Sequence, residues 1–167
     1  MFRGAAVVLG VASCGKTVVG EGLAERLGVR FVEGDRLHPA VNVAKMSSGT
    51  PLTDEDRWPW LAEVGASLRG EDGVIASCSA LKRAYREHIA AAAQRPVFFV
   101  FLDGSRALLE RRIAERKGHF MPPSLLASQL ATLERPTAEE RAGRFDIDQP
   151  VETIVGQAAA WLLQQQV

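Results

Sequence analysis

The 167-residue sequence lacks the features that mark secreted, membrane-inserted or nucleic-acid-binding proteins. It contains only two cysteines, Cys14 and Cys78, which argues against a disulfide framework and favours reduced thiols in the cytoplasm. Twenty basic residues balance twenty acidic ones, so there is no extended field for nucleic acid or an anionic membrane. No apolar run approaches the roughly 18 residues that a membrane span needs. We therefore expect a cytoplasmic protein with no nucleic-acid or membrane partner.

What is present is the composition of an ordinary globular domain. Hydrophobic residues make up 47% of the chain and charged residues 24%, which predicts a single domain over residues 1–167. Strand-like apolar segments alternate with amphipathic ones, and this order predicts an α/β fold with a parallel sheet of about five strands covered by helices on both faces. The predicted strands are residues 5–9, 29–32, 73–77, 97–102 and 144–148, with 97–102 central because it is apolar throughout.

Residues 10–17, the phosphate loop, directly follow the first predicted strand. They read Gly-Val-Ala-Ser-Cys-Gly-Lys-Thr and fit the pattern G-x-x-x-x-G-K-[ST]. In such a loop the backbone N–H groups surround phosphate oxygens, Lys16 reaches the β and γ phosphates, and the Thr17 hydroxyl ligates Mg²⁺. The pattern predicts a site for a nucleoside triphosphate and Mg²⁺ formed by Gly10, Ser13, Cys14, Gly15, Lys16, Thr17 and Val18.

Two carboxylates follow the second predicted strand, at the sheet edge where open parallel sheets bind ligands. Glu33 and Asp35 are separated by one residue, so in extended backbone they project to the same side. Phosphoryl transfer needs a bound metal ion and an oriented hydroxyl nucleophile. We expect Asp35 to act on the acceptor hydroxyl and Glu33 to hold the water shell of the metal. The alternative for either carboxylate is a purely structural role in the turn.

Cationic and imidazole side chains follow this acidic turn and the third predicted strand. His38, Lys45 and Arg57 come after the turn, and Lys82 and Arg86 are four residues apart on one predicted helix face. Together these groups are suited to an anionic, hydroxyl-rich acceptor. The alternative for each of them alone is a solvated surface charge or, for His38, a structural residue.

An arginine-rich stretch followed by glycine and proline predicts a mobile lid over approximately residues 112–124. Closing such a lid brings guanidinium groups onto the phosphate oxygens as charge develops there and excludes water. Arg116, beside Gly118, is the best candidate, and Arg112 shares its helix face. The alternative is a solvated basic helix face that Glu110 and Glu115 partly neutralise. We expect His119 to pack the closed lid over the acceptor.

These motifs resemble the gluconokinase family, also called thermoresistant gluconate kinases, which are small P-loop kinases related to shikimate and nucleoside-monophosphate kinases. The resemblance covers almost the whole chain, and its most specific parts are the His-Pro turn and the Arg-Lys-Gly-His-Phe segment. It rests on the phosphate loop and on residues 33–39, 42–46, 48–52, 54–57, 60–61, 78–82, 116–121, 128–129, 133–134 and 146–150.

The resemblance implies a three-layer P-loop kinase fold and ATP-dependent phosphorylation of D-gluconate to 6-phosphogluconate, with Mg²⁺, by a cytoplasmic protein that is often a homodimer. At matching positions it implies that Lys16 and Thr17 hold nucleotide and metal, Asp35 faces the sugar hydroxyl, Arg116 belongs to the lid, and His38, Arg57 and Lys82 contact the sugar acid. Two alternatives stay open: a kinase for another small acid or polyol, similar to shikimate kinase, and an ATP-binding regulatory module without catalysis.

Two segments, the phosphate loop and the acidic turn, depart from the usual spelling of the family. Ala12 and Cys14 stand where a Ser and a Gly are commoner, and Glu33 stands where Asp is usual. Neither change removes a donor or a charge that the mechanism needs. Two effects of Cys14 stay open: its side chain crowds the loop, or the loop amides and Lys16 lower the pKa of its thiol and make the loop sensitive to oxidation.

Overall fold

Five parallel strands form one sheet in the order β2-β3-β1-β4-β5 in the computed structural model, which describes residues 1–116 and 123–166. The strands are β1 (Ala5–Leu9), β2 (Arg30–Glu33), β3 (Val74–Ser77), β4 (Val97–Asp103) and β5 (Ala142–Asp146). The helices are α1 (Lys16–Leu27), α2 (Ala40–Ser47), α3 (Asp54–Ser67), α4 (Arg83–Ala93), α5 (Arg106–Glu115), α6 (Pro123–Thr132) and α7 (Val151–Gln164), with a 3-10 turn at Gly34–Leu37. The predicted α/β fold is confirmed.

Strand β1 is the centre of the sheet, and the prediction that 97–102 would be central is wrong by one place. All five residues of β1 are buried. Its alternate side chains enter two separate cores, because successive residues of a strand point to opposite faces. Ala6 and Val8 pack with the side chains of α1 and α7, whereas Val7 and Leu9 pack with those of α3 and α4. The sheet is therefore covered by helices on both faces.

Chain order places the functional segments at one edge of the sheet. From β1 the chain passes through α1 to β2, which lies two places away beyond β3, and β4 lies on the other side of β1. This reversal opens a crevice at the carboxyl end of β1, where the phosphate loop begins. The segments that follow β2 and β3 begin at the same edge, because all the strands are parallel.

Local signals fixed several helix and strand ends. The predicted capping box of α3 is present: Thr53 Oγ1 accepts from the Asp56 N–H at 3.2 Å, and Asp56 Oδ2 accepts from the Thr53 N–H at 2.9 Å. The last strand begins two residues earlier than predicted, at Ala142. It ends where Asp146 Oδ1 accepts from the Asp148 N–H at 2.8 Å, an Asx turn. None of the helices within 1–116 and 123–166 has the length and apolar character needed to cross a membrane.

Candidate active site

The phosphate loop has the backbone that an anion-binding turn requires. Gly15 has φ +94° and precedes α1, whose first residue is Lys16. Gly10 leaves no room for a side chain, because a Cβ there would collide with the Cys14 Sγ and the backbone oxygen of Leu102. The Lys16 ammonium donates to the carbonyl oxygens of Gly10 at 3.0 Å and Val11 at 3.1 Å, so its side chain folds back across the loop.

One backbone amide of the loop donates a hydrogen bond to a side chain outside the loop. The Ala12 N–H donates to Oε1 of Gln129 on α6, at 2.7 Å. This contact ties the helix that follows the predicted lid to the phosphate loop. Gln129 belongs to the Ser-Gln pair of the resemblance, but sequence reasoning gave it no role, since nothing in the local pattern links two segments 117 residues apart.

Cys14 does not have the reactivity expected of it. Its side chain is 1% exposed and belongs to the hydrophobic core that α1 and α7 form against one face of the sheet. Burial raises the pKa of the Cys14 thiol, and this effect outweighs the charges of Lys16 and Arg112. The predicted lowering of that pKa is therefore wrong. The pKa of Cys78, also enclosed, is raised by burial to about 12.

Glu33 lies beside the phosphate loop and is held on both of its oxygens. Oε2 accepts from Thr17 Oγ1 at 2.7 Å, and Oε1 accepts from Ser77 Oγ at 2.5 Å. A threonine hydroxyl and a carboxylate fit Mg²⁺, which is commonly held by one or two protein groups, nucleotide phosphates and water. Within the described ranges no group of three or more His, Cys, Asp or Glu side chains forms a complete metal cage, and this ion needs none.

Asp35 follows Glu33 in the 3-10 turn and is exposed to solvent. The turn is not extended, so the argument from strand alternation that paired the two carboxylates does not hold. Gly34 anchors the turn instead. Its backbone oxygen accepts from Trp60 Nε1 at 2.8 Å, and a Cβ at this position would collide with the Ser77 carbonyl. Close packing of Gly34 therefore fixes where Asp35 leaves the sheet.

His38 is held against the same tryptophan. The His38 and Trp60 rings stack with centroids 3.9 Å apart and planes 17° apart. On its other side, His38 Nδ1 lies 3.2 Å from the side-chain nitrogen of the buried Asn42. Burial lowers the pKa of His38, Asp35 opposes this shift and Arg57 adds to it, so the imidazole is neutral at neutral pH.

Lys45 is engaged by a carboxylate of α3. Its ammonium lies 2.8 Å from Asp56 Oδ2 and 2.9 Å from Asp56 Oδ1. The hydrogen bond from Lys45, with the backbone N–H of Thr53, lowers the pKa of Asp56 to about 2. Lys45 therefore joins α2 to the capped end of α3. If its ammonium also contacts an acceptor, it does so while bound to Asp56.

Arg57 and Lys82 meet at a second carboxylate, Asp54. The Lys82 ammonium is 3.4 Å and the Arg57 guanidinium 3.6 Å from Asp54, and both cations lie 5.6 Å from the centre of the Tyr85 ring. Tyr85 donates its hydroxyl to Asp54 at 2.5 Å, and this bond, followed by the charge of Lys82, lowers the pKa of Asp54. We call Asp54, Arg57, Lys82 and Tyr85 the cation cluster. Sequence reasoning missed Asp54 and Tyr85, which carry no distinguishing local pattern.

Arg86 does not belong to this cluster, and its burial contradicts the predicted contact with substrate. The side chain is only 1% exposed and donates to both oxygens of Glu140, at 2.6 and 3.2 Å. It also donates to the carbonyls of Ala80, Leu81 and Glu134. Lys82 precedes α4 with extended backbone, so the two cations do not share a helix face as expected.

The part of the predicted lid that precedes residue 117 contacts the nucleotide side of the site. Arg116 donates to Ser13 Oγ of the phosphate loop at 3.3 Å. Arg112 donates to the backbone oxygen of Ile147 at 2.7 Å, beyond the end of β5. The expected contact of His119, and residues 117–122 of the lid, lie outside the described residues.

The parallel sheet and the phosphate loop between β1 and α1 define a P-loop protein of the nucleotide-dependent kinase type. A family described as an AAA domain matches residues 6–136. The gluconokinase of Gluconobacter oxydans (strain 621H) is 54% identical over 80% of this chain and 77% of its own length. The thermosensitive gluconokinase of Escherichia coli (strain K12) is 41% identical over 90% and 83%.

A solved structure gives the same result in three dimensions. The crystal structure of a gluconokinase from Sinorhizobium meliloti 1021 superposes with a TM-score of 0.91 at 51% identity, over 98% of this chain and 94% of that one. The chain belongs to the gluconokinase family.

Proposed function

We propose that this protein is an ATP-dependent gluconokinase that converts D-gluconate to 6-phospho-D-gluconate. The acceptor's terminal hydroxyl oxygen bonds to the γ-phosphorus, the bond from that phosphorus to the β–γ bridging oxygen breaks, and ADP leaves. The observation that carries the proposal is that the acidic turn and the cation cluster belong to segments that follow β2 and β3, the strands on one side of β1 and its phosphate loop, and that Glu33 before the turn accepts from Thr17 after the loop. The identity with named gluconokinases supports the same acceptor.

On the nucleotide side, the loop amides and Lys16 bind phosphate oxygens, and Gly10, Ser13, Cys14, Gly15 and Val18 complete the cradle. Cys14 contributes its backbone, since its thiol is buried. Thr17 and Glu33, joined at 2.7 Å, would hold Mg²⁺ and its water. When bound, the ion supplies charge neutralisation to the phosphate oxygens in the transition state.

On the acceptor side, Asp35 accepts a hydrogen bond from the terminal hydroxyl and receives its proton as the new P–O bond forms. The carboxylate at the other end of gluconate is assigned to Arg57 and Lys82, which give the cation cluster an excess of one positive charge over Asp54. His38 and Lys45 lie between these two ends in the chain and are assigned to the intervening hydroxyls. A hydrogen bond between the gluconate carboxylate and either cation contributes about 1.5–3 kcal/mol.

The lid completes the site when nucleotide binds. Arg116 is already 3.3 Å from the phosphate loop, and we assign it, with Arg112 behind it, to the phosphate charge that develops during transfer. The lid is proposed to cover residues 112–124 and to bring His119 to the acceptor. We further propose one domain over residues 1–167, working in the cytoplasm as a homodimer.

An acceptor panel tests the reaction directly. Purified protein with ATP and Mg²⁺ should release ADP far faster with gluconate than with shikimate, a nucleoside monophosphate or no acceptor, and should yield a product phosphorylated at the terminal oxygen. Turnover of shikimate or a polyol in preference to gluconate would favour the other-acceptor alternative. ATP binding without turnover of any acceptor would favour the regulatory module.

The variant Asp35→Asn tests the assigned proton acceptor. We expect kcat to fall by at least about a hundredfold with little change in the KM for ATP, because general-base or orienting function is worth two to four orders of magnitude. The matched control is Asp72→Asn, an exposed carboxylate before β3 at the opposite end of the sheet, which should retain wild-type kinetics. A near-wild-type kcat for Asp35→Asn would remove this residue from the mechanism.

A further inference from the structure

Asn42 is a buried polar side chain that the reaction above does not use. It lies on α2 with 1% of its surface exposed. Its Nδ2 is 2.9 Å from the backbone oxygen of Asp56 and 3.2 Å from Nδ1 of His38. Its Oδ1 is also buried and has no hydrogen-bond partner among the described residues. The amide therefore uses both of its donors and leaves its acceptor unused.

The carbonyl of Asp56 fixes which way round the amide lies. A carbonyl oxygen only accepts hydrogen bonds, so the amide atom 2.9 Å from it must be the nitrogen. The second hydrogen of that nitrogen then faces His38 Nδ1, which must accept it. An imidazole that accepts at Nδ1 is neutral and carries its proton at Nε2.

The unused Oδ1 indicates that Asn42 is needed for the two N–H groups of its side chain. A buried acceptor without a partner lowers stability, and an apolar residue of similar size avoids that loss. Only an amide supplies one N–H to the Asp56 carbonyl and a second to the imidazole. Packing alone does not explain an asparagine here.

The surroundings of His38 hold the ring still while leaving one nitrogen available. The ring stacks on Trp60, whose own N–H is bonded to Gly34. The charged groups that act on the imidazole are Asp35 and Arg57, which have opposite effects. Asp56, whose backbone oxygen accepts from Asn42, has its carboxylate paired with Lys45. Within the described part of the chain, Nε2 has no hydrogen-bond partner.

We propose that Asn42 is a positioning residue that fixes His38 as the neutral Nε2–H tautomer, so that His38 donates a hydrogen bond from Nε2 to an oxygen of the acceptor. The second half rests on the proposed function, since it takes a polyhydroxy acid as the acceptor. A neutral donor suits a hydroxyl oxygen and leaves the carboxylate to the cation cluster. Asn42 thereby contributes to acceptor recognition without contacting the acceptor.

The tautomer is measured directly by NMR on wild-type protein labelled with ¹⁵N-histidine. The chain has three histidines, and comparison with His38→Gln assigns the signals of His38. At pH 7.5 we expect Nδ1 to have the shift of an unprotonated ring nitrogen and Nε2 that of a protonated one. A protonated Nδ1, or averaged shifts typical of free histidine, would overturn the proposal. This readout does not depend on activity.

Asn42→Asp tests the link to the acceptor, because it replaces the N–H that faces Nδ1 with an acceptor of the same shape. We expect the proton to appear at Nδ1 and the KM for gluconate to rise about tenfold, with the KM for ATP changed less than about threefold. Val43→Asp, which adds the same charge at an exposed position of α2, is the control and should keep wild-type values. An unchanged KM for gluconate beside a shifted proton would refute the recognition role. A wild-type protein inactive on gluconate would refute the proposed function, whereas the nitrogen shifts still decide the tautomer.

Discussion

Lys82 and Arg86 are cations of the same short segment after β3, and the fold gives them opposite surroundings. The Arg86 side chain is 1% exposed and is held by Glu140, which is itself 9% exposed. The Lys82 side chain is 34% exposed and lies 3.4 Å from Asp54, which is 39% exposed. Every contact of Arg86 is with the protein, whereas Lys82 retains access to solvent and to a ligand.

This difference separates a structural cation from a ligand-binding one. A guanidinium taken out of water must have its donors satisfied, and the ring of acceptors around Arg86 leaves no place for a substrate. The cation cluster is the reverse case, because one carboxylate faces two cations and the site can accept a second carboxylate. Three variants or conditions test this comparison, in order of decreasing effect.

The largest effect is expected for Arg86→Met, on stability. Breaking a buried ion pair by removing one partner costs about 3–5 kcal/mol, and here three backbone carbonyls lose a donor as well. We expect the free energy of unfolding, from urea titration, to fall by about 3 kcal/mol, with a Tm decrease of about 6–12 °C.

The double variant Arg86→Met/Glu140→Leu is the matched control for that experiment. It removes both charges, so at least half of the lost stability should return, because an apolar replacement of a buried pair is often neutral. If Arg86→Met were as stable as wild type, the buried pair would contribute little to the free energy of unfolding. Arg86 and Lys82 would then differ only in their exposure to solvent.

A smaller effect is expected for Lys82→Met, and it should appear in binding. The KM for gluconate should rise about tenfold, equivalent to about 1.4 kcal/mol, because one of the two cations assigned to the carboxylate is lost. The free energy of unfolding should change by less than about 1 kcal/mol, as for exposed ion pairs. Arg83→Met, which removes the neighbouring exposed cation paired with Glu87 and Glu139, should leave that KM unchanged. A stability loss as large as that of Arg86→Met would make Lys82 structural.

Much of the fold was predictable because its signals are local. The β1 segment is apolar throughout and was predicted with its observed ends, and the Thr53 capping box is contained within four residues. The strand order was not predictable, since it depends on which crossover helix packs on which face. The central place of β1 and the displacement of β4 from it are results of that packing.

The site was predictable only where a motif carries its own geometry. The phosphate loop does so, because glycine positions and the lysine define the turn. Arg86 and Lys82 carry the same charge and follow the same strand, so the local sequence does not show which of them is buried. What separates them is the ion pair of Arg86 with Glu140, which lies 54 residues further along the chain. Cys14 was misread for a related reason: its pKa depends on burial, and the sequence alone did not indicate that the thiol turns into the core.

The smallest effect is expected in the acid dependence of stability. Burial acts to raise the pKa of Glu140, but hydrogen bonds from Arg86 and the Thr137 N–H outweigh it and hold the pKa below its usual value of 4.5. A carboxyl with a lowered folded-state pKa stabilises the fold above pH 4.5, and this contribution is lost as the pH falls through the folded value, because the unfolded state binds more protons.

Between pH 4.5 and 3.5 the wild type should therefore lose more unfolding free energy than Arg86→Met/Glu140→Leu, by less than about 1.4 kcal/mol, the limit for one proton per pH unit. Other carboxylates, such as Asp103, are common to both proteins and cancel. Equal losses would mean that Arg86 does not hold Glu140 in its charged form, and the enclosed pair would then differ from the cation cluster in packing but not in electrostatics.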